Sequence, residues 1–185
     1  MAVALARQLF TVDDYYKMAE TGILDSDDRV ELLDGEILKM SPAGSYHSGC
    51  INTLAQHFFL NLQNLATVSI QNPVRLDAYS APEPDVALLH YRDDHYKASL
   101  PIPEEIHLLV EVADSSLDKD LYVKIPLYAK ALVPEAWIID LSSRTVHVFR
   151  DPSDGEYQSR AIYSENDRLA PVSFPDIHLP VNTLF

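Results

Sequence analysis

The chain is poor in several things that whole classes of function require. Its 185 residues include one cysteine, Cys50, which excludes an intrachain disulfide and any cysteine-based zinc knuckle. No stretch approaches the ~20 continuous apolar residues that a membrane-spanning helix needs. The opening MAVALARQLF is too short and too weakly patterned for a secretory signal, so a cytoplasmic protein is the expectation. Cations are scarce: 14 Lys and Arg stand against 28 Asp and Glu, a net charge of −14. A field of that sign repels nucleic-acid phosphates at long range. What the chain does have is a core, since 47% of its residues are hydrophobic, enough for one sizeable domain spanning residues 1–185 and too few residues for two.

Local signals divide that domain. Thr11 followed by Asp14 resembles a capping box and Gly22 a stop, which predicts a short helix over Val12–Thr21. Arg29–Leu33 and Glu36–Met40 flank Asp34-Gly35, a strong hairpin signal. From Ser45 to Leu65, Ile51, Leu54, Phe58, Leu62 and Leu65 recur at helical spacing, with Phe59 widening the stripe. Val68–Gln71 and Val74–Leu76 read as strand pieces around Pro73, and Val86–His90 as a strand held extended at its start by Pro82-Glu83-Pro84. Tyr91–Glu105 reads as a surface loop. Ile106–Val112 is an unbroken apolar run of strand length, suited to the centre of a sheet. Asp118–Leu132 reads as a helix that Pro126 either kinks or restarts near Ile125. Ala136–Leu141, Thr145–Arg150 and Tyr157–Tyr163 read as strands, the last two separated by a turn over 151–155, and the tail from Ser164 is apolar enough to pack. The order of elements predicts a mixed α/β domain.

Chemistry concentrates at three positions. In an extended run, Ile106, Leu108, Val110 and Val112 share one face while His107, Leu109 and Glu111 share the other. Glu111 thus stands among apolar neighbours, where an ionised carboxylate costs several kcal/mol unless a cation or metal compensates it. Asp85 occupies a similar place before Val86–Leu89, and pairing of the two strands brings both carboxylates to one rim. Two converging carboxylates suit Mg²⁺ or Mn²⁺, hard ions that take oxygen ligands and keep several waters. Lys124 is within reach, one loop and the start of one helix after Glu111. Each has a bland reading: Asp85 starting a strand, Glu111 neutralised by Arg75, and Lys124 in a surface ion pair with Asp120 four residues before it. The three together favour a site. His47 opens the long helix and reads either as a residue approaching the site or, as a lone histidine more often is, as a capping or packing residue; Trp137 reads as core, and Ser115 and Ser116 as caps of the next helix. Tyr128 shares a helical face with Asp120 and Lys124 if Pro126 preserves the register.

These residues resemble the PD-(D/E)xK nuclease superfamily and, more narrowly, the Uma2 family (also catalogued as DUF820), whose members are described as endonucleases. The resemblance rests on Arg29-Val30-Glu31-Leu32-Leu33-Asp34-Gly35-Glu36, Met40-Ser41-Pro42 with His47, and Pro84-Asp85-Val86. It continues through Glu111-Val112-Ala113-Asp114-Ser115-Ser116, Asp120 to Tyr128, and Glu135-Ala136-Trp137-Ile138, in the family's order. It implies a restriction-endonuclease-like fold, a mixed central sheet flanked by helices. It also implies Asp85 and Glu111 as ligands of Mg²⁺ or Mn²⁺ with the Val112 carbonyl as a third oxygen, Glu31 as a further acidic group and Lys124 as the catalytic lysine. The strict (D/E)xK spacing would put the lysine at Ala113; Lys124 matches members whose lysine has moved to the following helix.

The activity so implied is metal-dependent hydrolysis of phosphodiester bonds in DNA, by a homodimer on the analogy of paired nuclease folds. DNA binding by so acidic a chain requires a local basic patch, for which Arg7, Lys17, Lys97, Lys119 and Lys130 are available but not clustered in sequence. Two other functions fit the same residues: a catalytically inactive dimeric interaction or regulatory module on the nuclease fold, and hydrolysis of a small phosphate ester.

Overall fold

The structure, a computed structural model, describes residues 7–25 and 27–185. The capping box at the N-terminus closes in both directions: the Thr11 hydroxyl accepts the Asp14 N–H and the Asp14 carboxylate accepts the Thr11 N–H, each at 3.1 Å. This starts α1 (Val12–Glu20), and Gly22 at φ +75° follows its end. Strands β1 (Val30–Leu33) and β2 (Glu36–Lys39) pair antiparallel across Asp34-Gly35, both at positive φ as a tight hairpin turn requires. The segment before Asp85 docks on this hairpin, the Ala81 N–H donating to the Leu32 carbonyl at 2.8 Å. That contact brings β1 to the main sheet.

Helix α2 (Ser45–Leu62) buries Ile51, Leu54, Phe58 and Leu62 on one stripe. Phe59 and Leu65 do not join it and are 54% and 62% exposed, contrary to expectation. Phe59 is one residue, or about 100°, round the helix from Phe58. Leu65 lies beyond Gln63, whose φ of 39° ends the helical register.

The main sheet has six strands: β3 (Ala66–Ile70), β4 (Val86–His90), β5 (Ile106–Ala113), β6 (Glu135–Asp140), β7 (Thr145–Ser153) and β8 (Glu156–Ser164), adjacent in that order. All pairs are antiparallel except β5 with β6, as expected where a helical crossover links two strands. The crossover helix runs as α3 (Leu117–Lys119), a π-helical turn (Asp120–Lys124) and α4 (Ile125–Lys130). Pro126 therefore falls in the first turn of α4, where its missing N–H is tolerated, and the π turn absorbs the change of register. Val74–Leu76 is a loop rather than a strand: the Val74, Arg75 and Leu76 N–H groups go to Pro82, Pro101 and Ser80, three unrelated carbonyls that make no ladder. The turn expected over 151–155 is tighter, because β7 continues through Pro152 and only Asp154-Gly155 turns.

Two cores cover the sheet. On one face α2 and the tail, with β9 (Arg168–Leu169), β10 (Leu179–Pro180) and a final 3₁₀ turn, pack on Val86, Leu88, Leu108, Val110, Val112 and Trp137. On the other, α4 packs on Ala87, Leu89, Leu109, Ala113 and Ile138. Ile106 joins this second core rather than the first. The β4–β5 register slips between Leu88↔Leu108 and Leu89↔Ile106, a bulge that turns Ile106 over and leaves Leu108 onward alternating as expected.

Candidate active site

Side chains from six segments meet at the end of β5. Alternation along β5 points Glu111 away from α2, and it is buried, as are Glu31, Asp85, Asp120 and Lys124. Lys124 Nζ lies 3.0 Å from Glu111 Oε2 and 3.1 Å from Glu31 Oε2, and 3.4 Å from the Glu83 carbonyl. Glu31 Oε1 takes Lys119 Nζ at 2.9 Å, and its other oxygen accepts the Glu83 N–H at 3.3 Å. The Tyr128 hydroxyl donates to Glu111 Oε1 in a short hydrogen bond. Asp85, just before β4, accepts from the Val112 N–H at 2.8 Å and from Gln71 Nε2 at 3.2 Å, and its Oδ2 lies 3.2 Å from His47 Nε2. Asp85, Glu111, Val112, His47 and Lys124 line one cavity with Glu83, Asp114 and the 40–44 segment.

The structure thus brings together Asp85, Glu111, Lys124 and Glu31, the residues singled out in the sequence. It replaces several readings around them. Lys124 is not in a surface pair with Asp120; it is buried between Glu111 and Glu31, while Asp120 accepts from the Ser116 hydroxyl at 2.6 Å. Arg75 does not neutralise Glu111 but pairs with Asp13 at 3.3 Å. His47 is at the site rather than merely capping α2. Ser116 is the residue preceding α3, yet its hydroxyl serves Asp120 and makes no capping bond. Val112 meets the site through its N–H to Asp85. Gln71 and Glu83 were not anticipated. Gln71 contributes from the residue after β3, and no residue type near it signals chemistry; only the register Gln71 N–H to Asp85 carbonyl, 3.1 Å, places it.

The electrostatics follow from four carboxylates around one ammonium. Burial pulls the Lys124 pKa down, but Glu111, Glu31 and Asp120 outweigh it, and the net direction is up. Lys124 is therefore a cation. Burial raises Glu111 well above the ordinary range, more than Lys124 lowers it, and Asp120 and Asp85 add to the rise. Glu31 goes the other way, because Lys124 and Lys119 together overcome its burial. Asp85 is also lowered, burial being outweighed by the hydrogen bond and charge of His47 and by the Val112 N–H. Burial raises Asp120 and Glu83.

Among the described residues no group of three or more His, Cys, Asp or Glu side chains is arranged around one point for a metal ion. The donor chemistry still fits a hard divalent cation. Asp85 and Glu111 supply carboxylate oxygens, the ligand type such an ion prefers, to one cavity.

Comparison with known proteins bears on fold and family. A solved structure described as "a putative nuclease belonging to DUF820 from Anabaena variabilis ATCC 29413" superposes with a TM-score of 0.74 over 95% of this chain and 97% of that one, at 18% identity. At that identity the likeness speaks for the fold: a mixed six-stranded sheet with helices, similar to that nuclease structure. No curated protein matches the chain. The profile of one family, Uma2, described as "Putative restriction endonuclease", matches residues 12–182, so the chain belongs to the Uma2 family.

Proposed function

We propose that the chain is a Mg²⁺- or Mn²⁺-dependent endonuclease, a single restriction-endonuclease-like unit that hydrolyses phosphodiester bonds in DNA. Family and fold support a nuclease-like function. The observation that carries the finer reading is Lys124, a charged ammonium held between Glu111 and Glu31 in a cavity that Asp85 also lines.

In this reading Asp85 and Glu111 would hold the ion, and the Val112 carbonyl would add a further oxygen. The bound ion would polarise the phosphoryl group and acidify a water. Lys124, whose pKa Glu111, Glu31 and Asp120 push up against the effect of burial, would act there as a cation. Its work is to orient the nucleophile and to neutralise charge gathering on the phosphoryl oxygens. Glu31 pairs with Lys124 alongside Glu111, and the donors Tyr128, Gln71 and His47 hold the carboxylates in place.

The test is nicking of plasmid DNA with Mg²⁺ or Mn²⁺, beside single strands, RNA and small phosphodiesters. The wild type should cut DNA only with the metal, and Asp85→Asn should fold and not cut. Cleavage confined to small esters would move the substrate class. The net charge of −14 favours a second reading, an inactive dimeric interaction module. That reading predicts no saturable Mn²⁺ uptake by calorimetry and no cleavage of any of these substrates.

A further inference from the structure

Most cations at the cavity are already committed. Lys119 pairs with Glu31, Lys124 with Glu31 and Glu111, and His47 with Asp85. Arg29 is the exception: among the described residues it lines the cavity without a carboxylate in ion-pair range, although Glu83, Asp85 and Asp114 line it too. Its charge is near enough to oppose protonation of both Glu83 and His47.

Its position is not accidental to the fold. The Arg29 carbonyl accepts the Met40 N–H at 2.8 Å, closing the open end of the β1–β2 hairpin and fixing the backbone there. Two residues apart on an extended segment, Arg29 and Glu31 face the same way. The hairpin therefore sends Glu31 inward to the lysines and leaves Arg29 exposed at the rim of the same cavity. A guanidinium there offers two parallel N–H donors, the geometry that matches two oxygens of a phosphate group. The cavity's carboxylates would repel the same group, so an uncommitted cation at its mouth has a specific use.

We propose that Arg29 forms an anion subsite at the mouth of the cavity and clamps a phosphate of the substrate strand, giving an acidic protein the local positive charge that DNA binding requires. The inference rests on the nuclease reading for its substrate, but the phosphate-binding chemistry is its own.

The experiment compares wild type, Arg29→Gln and Arg29→Lys in Mg²⁺, by anisotropy of a fluorescent duplex whose phosphorothioate linkages slow hydrolysis. Arg29→Gln should bind about ten- to hundredfold more weakly. Its plot of log affinity against log salt should be flatter by about 0.7–0.9, the signature of one lost phosphate contact. Arg29→Lys should recover part of the affinity, and thermal midpoints should agree because Arg29 is exposed. Unchanged affinity and slope in Arg29→Gln would overturn the clamp while leaving the nuclease reading intact if cleavage persists. If the wild type neither cuts nor binds any nucleic acid, the nuclease reading fails by itself. Calorimetric titration with inorganic phosphate then decides the subsite: uptake that Arg29→Gln abolishes supports it, and no uptake by the wild type overturns it.

Discussion

Lys124 Nζ lies 3.0 Å from Glu111 Oε2, and both side chains are all but inaccessible to water. A pair so placed is held by the rest of the cluster as much as by its own attraction, because removing either partner strands the other charge in a dry environment. Lys124→Met should therefore destabilise the fold by about 3–5 kcal/mol, read from urea unfolding. Combining it with Glu31→Gln and Glu111→Gln should recover much of the loss. A loss below about 1 kcal/mol in Lys124→Met alone would mean that the pair is hydrated and the burial argument wrong.

Acid should weaken the protein partly through its half-buried histidines. His57, His107 and His147 all have pKa values lowered by burial from the ordinary 6.5, with His90 adding to the shift at His107 and Arg160 at His147. The unfolded chain then binds protons at a higher pH than the folded one. Stability is complete above about pH 6.5 and falls as pH drops toward the folded values. His57 is the cleanest probe, its Nε2 buried without a hydrogen-bond partner among the described residues. Between pH 7.5 and pH 5, His57→Phe should lose less unfolding free energy than the wild type; equal losses would remove His57 from the account.

Glu135 anchors the tail. It is fully buried, with Oε1 accepting from Trp137 Nε1 and Arg150 Nε, each at 2.8 Å, and Oε2 accepting the Val172 N–H at 2.7 Å. Glu135→Ala should cost about 3–5 kcal/mol, since it leaves Arg150 and an indole N–H uncompensated. Because Trp137 is the chain's one tryptophan, loosening of the tail over it should also appear as a red shift of emission and faster amide exchange around Leu169 and Val181.

The hairpin turn is sensitive to a single methyl group. Gly35 has φ +77°, and a Cβ there would come within 2.7 Å of the Leu9 Cβ. Gly35→Ala should destabilise by about 1–3 kcal/mol, whereas Gly155→Ala, at a similar φ with open space around it, should cost less. Thermal midpoints of the two variants test the difference.

Much of this was legible in the sequence for identifiable reasons. Val86–His90 was bounded correctly by Pro84 on one side and a polar loop on the other, and alternation from Leu108 onward gave Glu111 its face. The meeting of Asp85, Glu111 and Lys124 followed from strand pairing and one crossover. What escaped depended on distances between segments far apart in the chain. The Ile106 bulge has no local residue signal. Glu31 came to the site through resemblance to a family, because the contact that docks its hairpin, Leu32 with Ala81, spans 49 residues and leaves no periodic trace. Lys124 and Asp120 sat at a spacing that in an α-helix would pair them, and the π turn cancelled it.

That turn has a consequence for comparing relatives. A π-helical turn holds one residue more than the α-helical register needs, so losing one residue between Asp120 and Lys124 would leave a regular helix. Because the wide turn absorbs that residue locally, the helical segments on either side would keep their relative orientation. Lys119 and Tyr128 would keep their faces, and the side chains inside the turn, Lys124 among them, would be the ones displaced. Between relatives, a deletion inside the turn is therefore a change in where Lys124 sits, whereas one in the regular helix on either side would turn one part against the other by about 100°.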